Sequence, residues 1–424
     1  MFRQILKQIV AVSLALILGG CSRVGAAEPS ASSSASSAPV LQLSSIKIGA
    51  VYALSGDSAA IGTNILRGID YAVEEINKSG GIHGHPLEVV LADTRGDAQR
   101  AAKEAKRLIE EEDVKAILGC HQSAATQAVF DVCRQEEIPA LTAISTVDSL
   151  TEAENAYCFR LCPMNSQYFD AMFHYLSEQK TADGSPMHTV AVFADQSLIG
   201  QEAIRDVDVI APQYGMSVVS RITYPHGSFD LSTQVEQLKE ADADAVIAES
   251  YVSDAILFVK TLRQEGVWPD ILLAKANGYT DPSFLSAGLD ADGLTSAVEW
   301  NADMRKGSQL NQKFRHIFGV DMNGHSAESY TAVWVLKTAL EAAEDLSGPA
   351  VARAMKELDI RGSFPNGPQI PLPYDEIRFD DVEVNGVMHY NENVCADIAI
   401  ARIQNGSYVT VWSKAQEGSK DQDE

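Results

Sequence analysis

The segment 46–146 determines the fold, because short apolar runs alternate in it with amphipathic ones. The apolar runs read IKIGAV at 46–51, LEVVL at 87–91, KAILG at 115–119 and PALTAI at 139–144. After the first run, residues 63–78 place Ile65, Ile69, Ala72, Val73 and Ile76 on one helical face. The pattern predicts strands linked by helices, which is typical of a parallel sheet covered on both faces.

Hydroxyl side chains follow the predicted strands. Ser55, Ser123, Ser145 and Thr146 stand at carboxyl ends of strands, and Gln122 directly precedes Ser123 where the next helix begins. Ligands of parallel sheets bind at these ends. The set holds no catalytic cluster, so the sequence predicts binding rather than catalysis.

The second half of the chain repeats the alternation, which predicts a second α/β lobe with a ligand cleft between the two. Predicted strands are 189–193, 217–222, 245–248 and 271–273, and predicted helices are 200–213, 231–241 and 254–264. Further helices are predicted at 309–317, 327–343 and 349–358, a long loop at 361–374, and strands near 377–379, 396–403 and 408–412.

The N-terminus resembles an export signal. Arg3 and Lys7 precede an apolar stretch at 9–18, which is too short to span a bilayer, and Leu18-Gly19-Gly20-Cys21 resembles a bacterial lipobox. We therefore expect a signal peptide at 1–20, a lipid on Cys21 and a flexible Ser/Ala tether through residue 45. The protein would lie in the periplasm or on the outer surface of the cell membrane, held by the lipid alone. The alternatives are an ordinary secretory signal and a buried apolar helix.

Composition excludes some functions. The net charge is −25, and removal of 1–20 leaves 31 basic against 58 acidic residues, so nucleic acid is not an expected partner. Five cysteines remain besides Cys21, an odd number that predicts at least one free thiol and at most one or two disulfides of unassigned pairing. No metal site or cofactor is expected, since the histidines show no ligand spacing.

Many short motifs in a fixed order carry a family resemblance. They are Leu54-Ser55-Gly56, Gly62, Gly68, Ala72 to Asn77, Gly80 to Gly84, Asp93, Gly119 to Ser123, Thr126-Gln127, Pro139, Ser145-Thr146, Leu150-Thr151 and Phe159-Arg160. Over about 46–413 the chain resembles the type I periplasmic binding proteins of ABC importers, specifically the leucine/isoleucine/valine-binding family. The resemblance implies two Rossmann-like parallel-sheet lobes joined by three crossovers, near 161–166, 297–302 and 362–375. It places 46–163 plus 300–368 in lobe 1 and 164–299 plus 369–413 in lobe 2. The polar composition of 414–424 separately predicts a disordered tail.

The resemblance also implies ligand contacts. Ser123 matches a serine that grips a ligand carboxylate, and Thr146 matches a threonine that binds carboxylate and ammonium. The backbone carbonyl of Ile144 would face the ammonium, and Tyr251 matches an aromatic residue that covers the ligand. Ser55, Gln122 and Ser145 complete the predicted first wall.

Two departures from the family pattern bear on the ligand. Asn277 stands where the family has an acidic partner for the ligand ammonium, with Glu249 as a possible substitute, and Ile199 stands where it has a tyrosine. Ile61 replaces a bulky aromatic residue of some members. We therefore expect a carboxylate-bearing ligand that need not be an aliphatic α-amino acid; aromatic acids, other small organic acids or amides fit this pocket.

The expected function is capture of a small amino-acid-like or carboxylate ligand and its delivery to an ABC permease by a monomeric protein. The alternative is a ligand sensor that acts through a membrane receptor. An enzyme is not expected, because His121, Ser123 and Asp131 lie too close together in sequence to predict a triad.

Overall fold

The computed structural model describes residues 43–56, 58–304 and 307–413, except for the side chains of residues 276 and 277. The predicted signal peptide, Cys21, most of the predicted tether and the tail at 414–424 lie outside this part. The strands are β1 (Ile46–Tyr52), β2 (Leu87–Asp93), β3 (Ile117–Gly119), β4 (Ala140–Thr142), β5 (Cys158–Arg160), β6 (Thr189–Asp195), β7 (Ser217–Tyr224), β8 (Ala245–Glu249), β9 (Ile271–Ala274), β10 (Thr295–Val298), β11 (Asp359–Arg361), β12 (Glu376–Val384), β13 (Val387–Asn393), β14 (Ala399–Gln404) and β15 (Ser407–Ser413).

The α-helices alternate with the parallel strands, as the sequence pattern predicts. They are α1 (Ala59–Lys78), α2 (Ala98–Glu112), α3 (Ser123–Gln135), α4 (Asn165–Ser177), α5 (Leu198–Ile210), α6 (Ser232–Ala241), α7 (Val252–Gln264), α8 (Ala276–Tyr279), α9 (Pro282–Ser286), α10 (Gly307–Phe318), α11 (Gly324–Ala342) and α12 (Gly348–Lys356). Short 3₁₀ helices lie at Asp148–Thr151 and Ala211–Tyr214.

The strands form two sheets. Sheet 1 has the order β11-β12-β13-β5-β4-β3-β1-β2, and sheet 2 has the order β15-β14-β10-β9-β8-β6-β7. The inner strands of each sheet are parallel, while β11, β12, β14 and β15 pair antiparallel with their neighbours. We call sheet 1 with its helices lobe 1, and sheet 2 with its helices lobe 2. The predicted fold class of two α/β lobes is confirmed.

Each sheet is buried between helices. All five residues of β8 and all four of β9 are buried, as expected for parallel strands covered on both faces. In lobe 1 the apolar face of α1 packs with α11 over the sheet, around Ile65, Ile69 and Tyr330.

Two glycines named among the family motifs permit this packing. A Cβ on Gly62 would lie 2.1 Å from the carbonyl oxygen of Ala53, and one on Gly68 would lie 2.2 Å from that of Ser326. Both distances are far below contact, so any side chain here would push α1 away from β1 and α11.

The C-terminal boundary of lobe 1 corrects the prediction. The family resemblance implies a crossover at 362–375 and places 369–413 in lobe 2, but β12 and β13 belong to sheet 1 and the chain passes to sheet 2 between Asn393 and Ala399. The reason is a buried ion pair: Arg160 on β5 donates from Nε to the Glu392 carboxylate on β13 at 2.8 Å, and both side chains are at most 3% exposed. The Thr151 hydroxyl contacts the same carboxylate.

Among the elements without a sequence-based counterpart are α4, β10 and β13. Helix α4 buries the polar Asn165 and Ser166 together with its aromatic residues, and β10 buries Thr295 and Ser296. Burial of polar side chains removes the apolar periodicity that the sequence prediction depends on.

The predictions about disulfides and about membrane-spanning segments can be compared with the structure. The described cysteines, Cys120, Cys133, Cys158, Cys162 and Cys395, are all free thiols. Burial raises the pKa of the Cys120 and Cys133 thiols, which keeps them protonated. Within the described part of the chain, no helix has the length and apolar character needed to cross a membrane.

Candidate functional site

A cavity of about 540 Å³ lies between the two lobes. Three helices of 13 residues each begin at its wall: α3 from lobe 1, and α5 and α7 from lobe 2. Since the N-terminus of a helix presents free N–H groups and a partial positive charge, this arrangement favours an anionic group in the cavity. The lining residues are Ser58, Ala60, Ile61, Gly96, Gln122, Ser123, Ala124, Ala125, Ser197, Leu198, Ile199, His226, Tyr251, Val252, Ser253, Ile256 and Ser283.

Ser123 is the first residue of α3 and is 5% exposed. Its hydroxyl has no hydrogen-bond partner among the described residues, although Gln122 before it donates to Ser58 at 3.4 Å. The first N–H groups of a helix lack acceptors within that helix. Ser123 and the following backbone therefore offer several unused donors to the cavity.

The opposite wall is largely aromatic and apolar. Tyr251 precedes α7 and packs against the lobe 1 core together with Ile199, while the His226 ring meets it edge-on at 4.9 Å. Burial and the nearby Asp195 and Glu249 raise the pKa of the Tyr251 phenol, so it stays a neutral donor.

Four of the predicted site residues, Gln122, Ser123, Ile199 and Tyr251, line the cavity; Ser55 and Ser145 do not. The Ser55 hydroxyl donates to the Asp93 carboxylate at 2.6 Å and holds the loop after β1. The Ser145 hydroxyl lies 2.5 Å from that of Thr126 and 3.2 Å from the carbonyl oxygen of Cys120, inside lobe 1. Both hydroxyls are thus engaged within their own lobe.

The other predicted residues have different settings. Ile144 belongs to the lobe 1 core and is 8% exposed. The side chain of Asn277 lies outside the described part. Thr146 is 5% exposed and does not line the cavity, but it sits at the junction of the lobes, because its carbonyl oxygen accepts from the N–H of Asn165 at 2.7 Å.

The side chain of Lys275 from lobe 2 reaches Thr146. Its Nζ donates to the Thr146 hydroxyl at 2.7 Å and lies 3.4 Å from the Glu249 carboxylate, and both charged side chains are at most 2% exposed. The same ammonium stands 4.9 Å from the centre of the Tyr168 ring. The sequence offers Glu249 as a substitute partner for a ligand ammonium, whereas in the structure Glu249 pairs with a lysine of the protein itself.

A second contact between the lobes is made by the carboxylate of Glu202. Glu202 on α5 accepts from the N–H of Asp148 at 2.9 Å and from the Ser149 hydroxyl at 2.6 Å. Asp206, one turn later, accepts from Asn165. Burial, with the negative charges of Asp148 and Glu202, raises the pKa of Asp206 to about 8.

Two buried polar rings lie at the carboxyl ends of β1 and β3. Tyr52 and His121 stack with ring centres 6.3 Å apart, and neither the phenol oxygen nor the two imidazole nitrogens has a described hydrogen-bond partner. Burial, with a contribution from His325, lowers the pKa of His121 to about 3, so the ring is neutral at pH 7. His121 makes no hydrogen bond to Ser123, and Asp131 bonds to Gln127 and Arg134, so these three residues do not form a triad.

One group of side chains has donor atoms close enough to hold a metal ion. In the described part, Asp195, His226 and Asp254 place a ligand atom each within 4.8 Å of one another. His226 Nδ1 lies 2.8 Å from the Asp254 carboxylate, which also accepts from the N–H of Gly227 at 3.2 Å. These bonds hold the loop after β7, and Asp195 accepts from the N–H of Ser197 at 2.8 Å.

The site residues that sequence reasoning missed are Lys275, Asp206, His226 and Ser197. Lys275 and His226 directly follow the strands β9 and β7, within two residues. Their position at the ligand-binding edge of a parallel sheet was the available signal.

Comparison with known proteins decides the family, because the model of the periplasmic binding protein family matches residues 45–373. The chain belongs to this family. A curated relative, Leu/Ile/Val-binding protein homolog 7 of Brucella suis biovar 1 (strain 1330), is 27% identical over 422 residues, covering 96% of this chain and 97% of the relative.

Solved structures share the fold. A leucine-binding protein from Thermotoga maritima aligns with a TM-score of 0.72 and 22% identity, covering 87% of this chain and 98% of that protein. A solute-binding protein from R. palustris, solved with benzoate, aligns with a TM-score of 0.70 and 17% identity over 87% of this chain and 96% of its own. The family comprises solute-binding proteins, and this chain has their architecture.

Proposed function

We propose that the protein is the extracytoplasmic solute-binding component of an ABC importer and captures a small carboxylate between its lobes. The observation that carries this proposal is Ser123, whose hydroxyl has no described partner and opens α3 at the wall of the interlobe cavity. A carboxylate there would accept from this hydroxyl and from the free N–H groups behind it.

Capture would proceed by closure of the two lobes. The anion would first meet the donors of lobe 1 at α3, and the starts of α5 and α7, with Tyr251, would then cover it from lobe 2. Hinge closure around a ligand changes the outer surface of both lobes, which gives a permease a means to distinguish loaded from empty protein. No covalent step is involved.

The ligand proposed here is a carboxylate that need not be an aliphatic α-amino acid. Ile199 and Ile61 line the cavity with apolar surface. Relatives carry names that refer to leucine, isoleucine and valine, whereas a protein of the same fold holds benzoate. The cavity chemistry supports an acid with an apolar body of either kind.

Membrane attachment is a further part of the proposal. Cleavage before Cys21 and lipidation of its thiol would hold the protein at the membrane, with the Ser/Ala stretch after it as a tether. Growth with radiolabelled palmitate should label the wild-type protein and not Cys21→Ser; equal labelling would contradict the anchor.

A thermal-shift screen tests the proposed capture. Protein beginning at about Ser44, freed of bound solutes by unfolding and refolding, would be mixed with amino acids, 2-oxo acids, aromatic and aliphatic carboxylates, amides and inorganic anions. A ligand at about a hundred times its Kd adds about 2.7 kcal/mol to the free energy of unfolding. Stabilisation by a carboxylic acid but not by its amide supports the proposal, and stabilisation by amides alone contradicts it.

A further inference from the structure

The ammonium of Lys275 already occupies a complete site for a primary ammonium. It donates to the Thr146 hydroxyl at 2.7 Å, lies 3.4 Å from the Glu249 carboxylate and stands over the Tyr168 ring at 4.9 Å. A hydroxyl acceptor, a carboxylate and an aromatic face are the groups that would bind the ammonium of an amino acid.

This ammonium site is connected to the proposed carboxylate site through neighbouring residues of lobe 1. Thr146 follows Ser145, whose hydroxyl contacts that of Thr126 at 2.5 Å. Thr126 lies in the first turn of α3, the helix that Ser123 begins. The residue that accepts from Lys275 is therefore the chain neighbour of a residue that contacts the first turn of α3, the helix that begins at the cavity.

The Lys275 ammonium is also hard to displace. The Lys275 and Glu249 side chains are 2% and 1% exposed, and a buried charge is costly without its partner. A ligand ammonium at this position would have to separate the pair, and a ligand ammonium beside it would meet a like charge at short range.

We propose that Lys275 is a built-in substitute for the ligand ammonium, so that the site selects carboxylic acids without an α-amino group. This inference rests on the proposed function of Ser123 and α3 and names the substrate class: 2-oxo acids, 2-hydroxy acids or aryl carboxylates. Such ligands use the unpartnered donors of lobe 1 and need nothing that Lys275 holds.

Matched acid pairs test the inference on the wild-type protein, with no variant required. Isothermal titration at pH 7 would compare 4-methyl-2-oxopentanoate with leucine, phenylpyruvate with phenylalanine, and benzoate with benzamide. In at least one pair of oxo and amino acid, the oxo acid should bind ten times more tightly or better. Tighter binding of the amino acid in both pairs overturns the inference while leaving carboxylate capture intact. No binding by any acid overturns both.

Substitution of Lys275 provides a gain-of-function test. Lys275→Met keeps the length of the side chain and removes its charge, so Thr146, Glu249 and the Tyr168 face become available to a ligand. Leucine or phenylalanine should then bind at least ten times more tightly than to the wild type, and the preference for the oxo acid should fall. An unchanged ratio of oxo to amino acid affinity in a folded variant overturns the role of Lys275.

Lys337→Met is the matched control. Lys337 is also buried, pairs with Glu341 at 2.7 Å and stands 5.6 Å from the Trp334 ring, but it lies on α11 away from the cavity. It should change stability and leave the ratio of the two affinities unchanged. Circular dichroism checks the fold of each variant, and the wild-type acid pairs decide the matter if Lys275→Met does not fold.

Discussion

The two walls of the cleft differ in how far their polar groups are already satisfied. On lobe 1, the Ser123 hydroxyl and the first N–H groups of α3 have no hydrogen-bond partner among the described residues. On lobe 2, Lys275 and Glu249 form a pair, and Glu202 accepts two bonds from lobe 1. The proposed function assigns the ligand to the donors of lobe 1, whereas these contacts of lobe 2 join protein groups to one another.

The largest change in stability should come from the Lys275–Glu249 pair of lobe 2. Glu249→Gln leaves the Lys275 ammonium buried without its carboxylate, and we expect a loss of about 3–5 kcal/mol in the free energy of unfolding. Urea denaturation at pH 7 measures it. Glu110→Gln is the control, since Glu110 pairs with Lys106 at an exposed site worth at most about 1 kcal/mol. Equal losses in the two variants would show that the buried pair contributes no more to the free energy of unfolding than the exposed pair does.

Ser123→Ala tests the proposed ligand contact of lobe 1 at the start of α3. It removes a charge-assisted hydrogen bond of about 1.5–3 kcal/mol, so the Kd of the best acid from the screen should rise about ten- to a hundredfold with little change in stability. Ser145→Ala is the control: its hydroxyl bonds inside lobe 1, so stability should fall more than affinity. An unchanged Kd in Ser123→Ala contradicts the assignment of Ser123.

Asp206, one turn after Glu202 on α5, makes the stability of the protein sensitive to pH. Its pKa of about 8 in the folded protein exceeds the ordinary value of 3.8. Between about pH 4 and 8 the folded state therefore keeps a proton on Asp206 that the unfolded state has already lost. Stability should therefore fall as pH rises through this window, by about 1 kcal/mol between pH 7 and 8. Asp206→Asn should flatten this slope in urea titrations, whereas Asp208→Asn, at an exposed ion pair on the same helix, should leave it unchanged. A slope unaffected by Asp206→Asn would refute the assignment.

The smallest effect is expected at Ser55. Its hydroxyl bonds to Asp93 rather than facing the cavity, so Ser55→Ala should change the Kd less than about twofold and lower stability by about 0.5–1.5 kcal/mol. Isothermal titration and urea denaturation measure the two quantities. A tenfold loss of affinity would place Ser55 in the site after all.

Sequence periodicity predicted the two lobes well, because buried parallel strands and amphipathic helices leave apolar patterns that need no tertiary information. It was wrong about 376–393, since the bond that joins β13 to β5 links residues 232 positions apart. At the site, sequence reasoning placed Ser123, Gln122, Ile199 and Tyr251 at the cavity but could not show that Ser55 and Ser145 bond within lobe 1. Which partner a side chain chooses depends on three-dimensional neighbours, and for the same reason Lys275 was missed.

The late position of the sheet-completing strands affects how the newly made chain folds. Strands β11 to β13 complete sheet 1, and β14 and β15 complete sheet 2. Neither sheet can therefore form in full before the last sixth of the chain has been synthesised. Until these residues emerge from the ribosome, Arg160 has no Glu392 to neutralise it in the interior. Contacts across such long sequence separations form slowly. Completion of the two sheets is therefore expected to be a late step in folding.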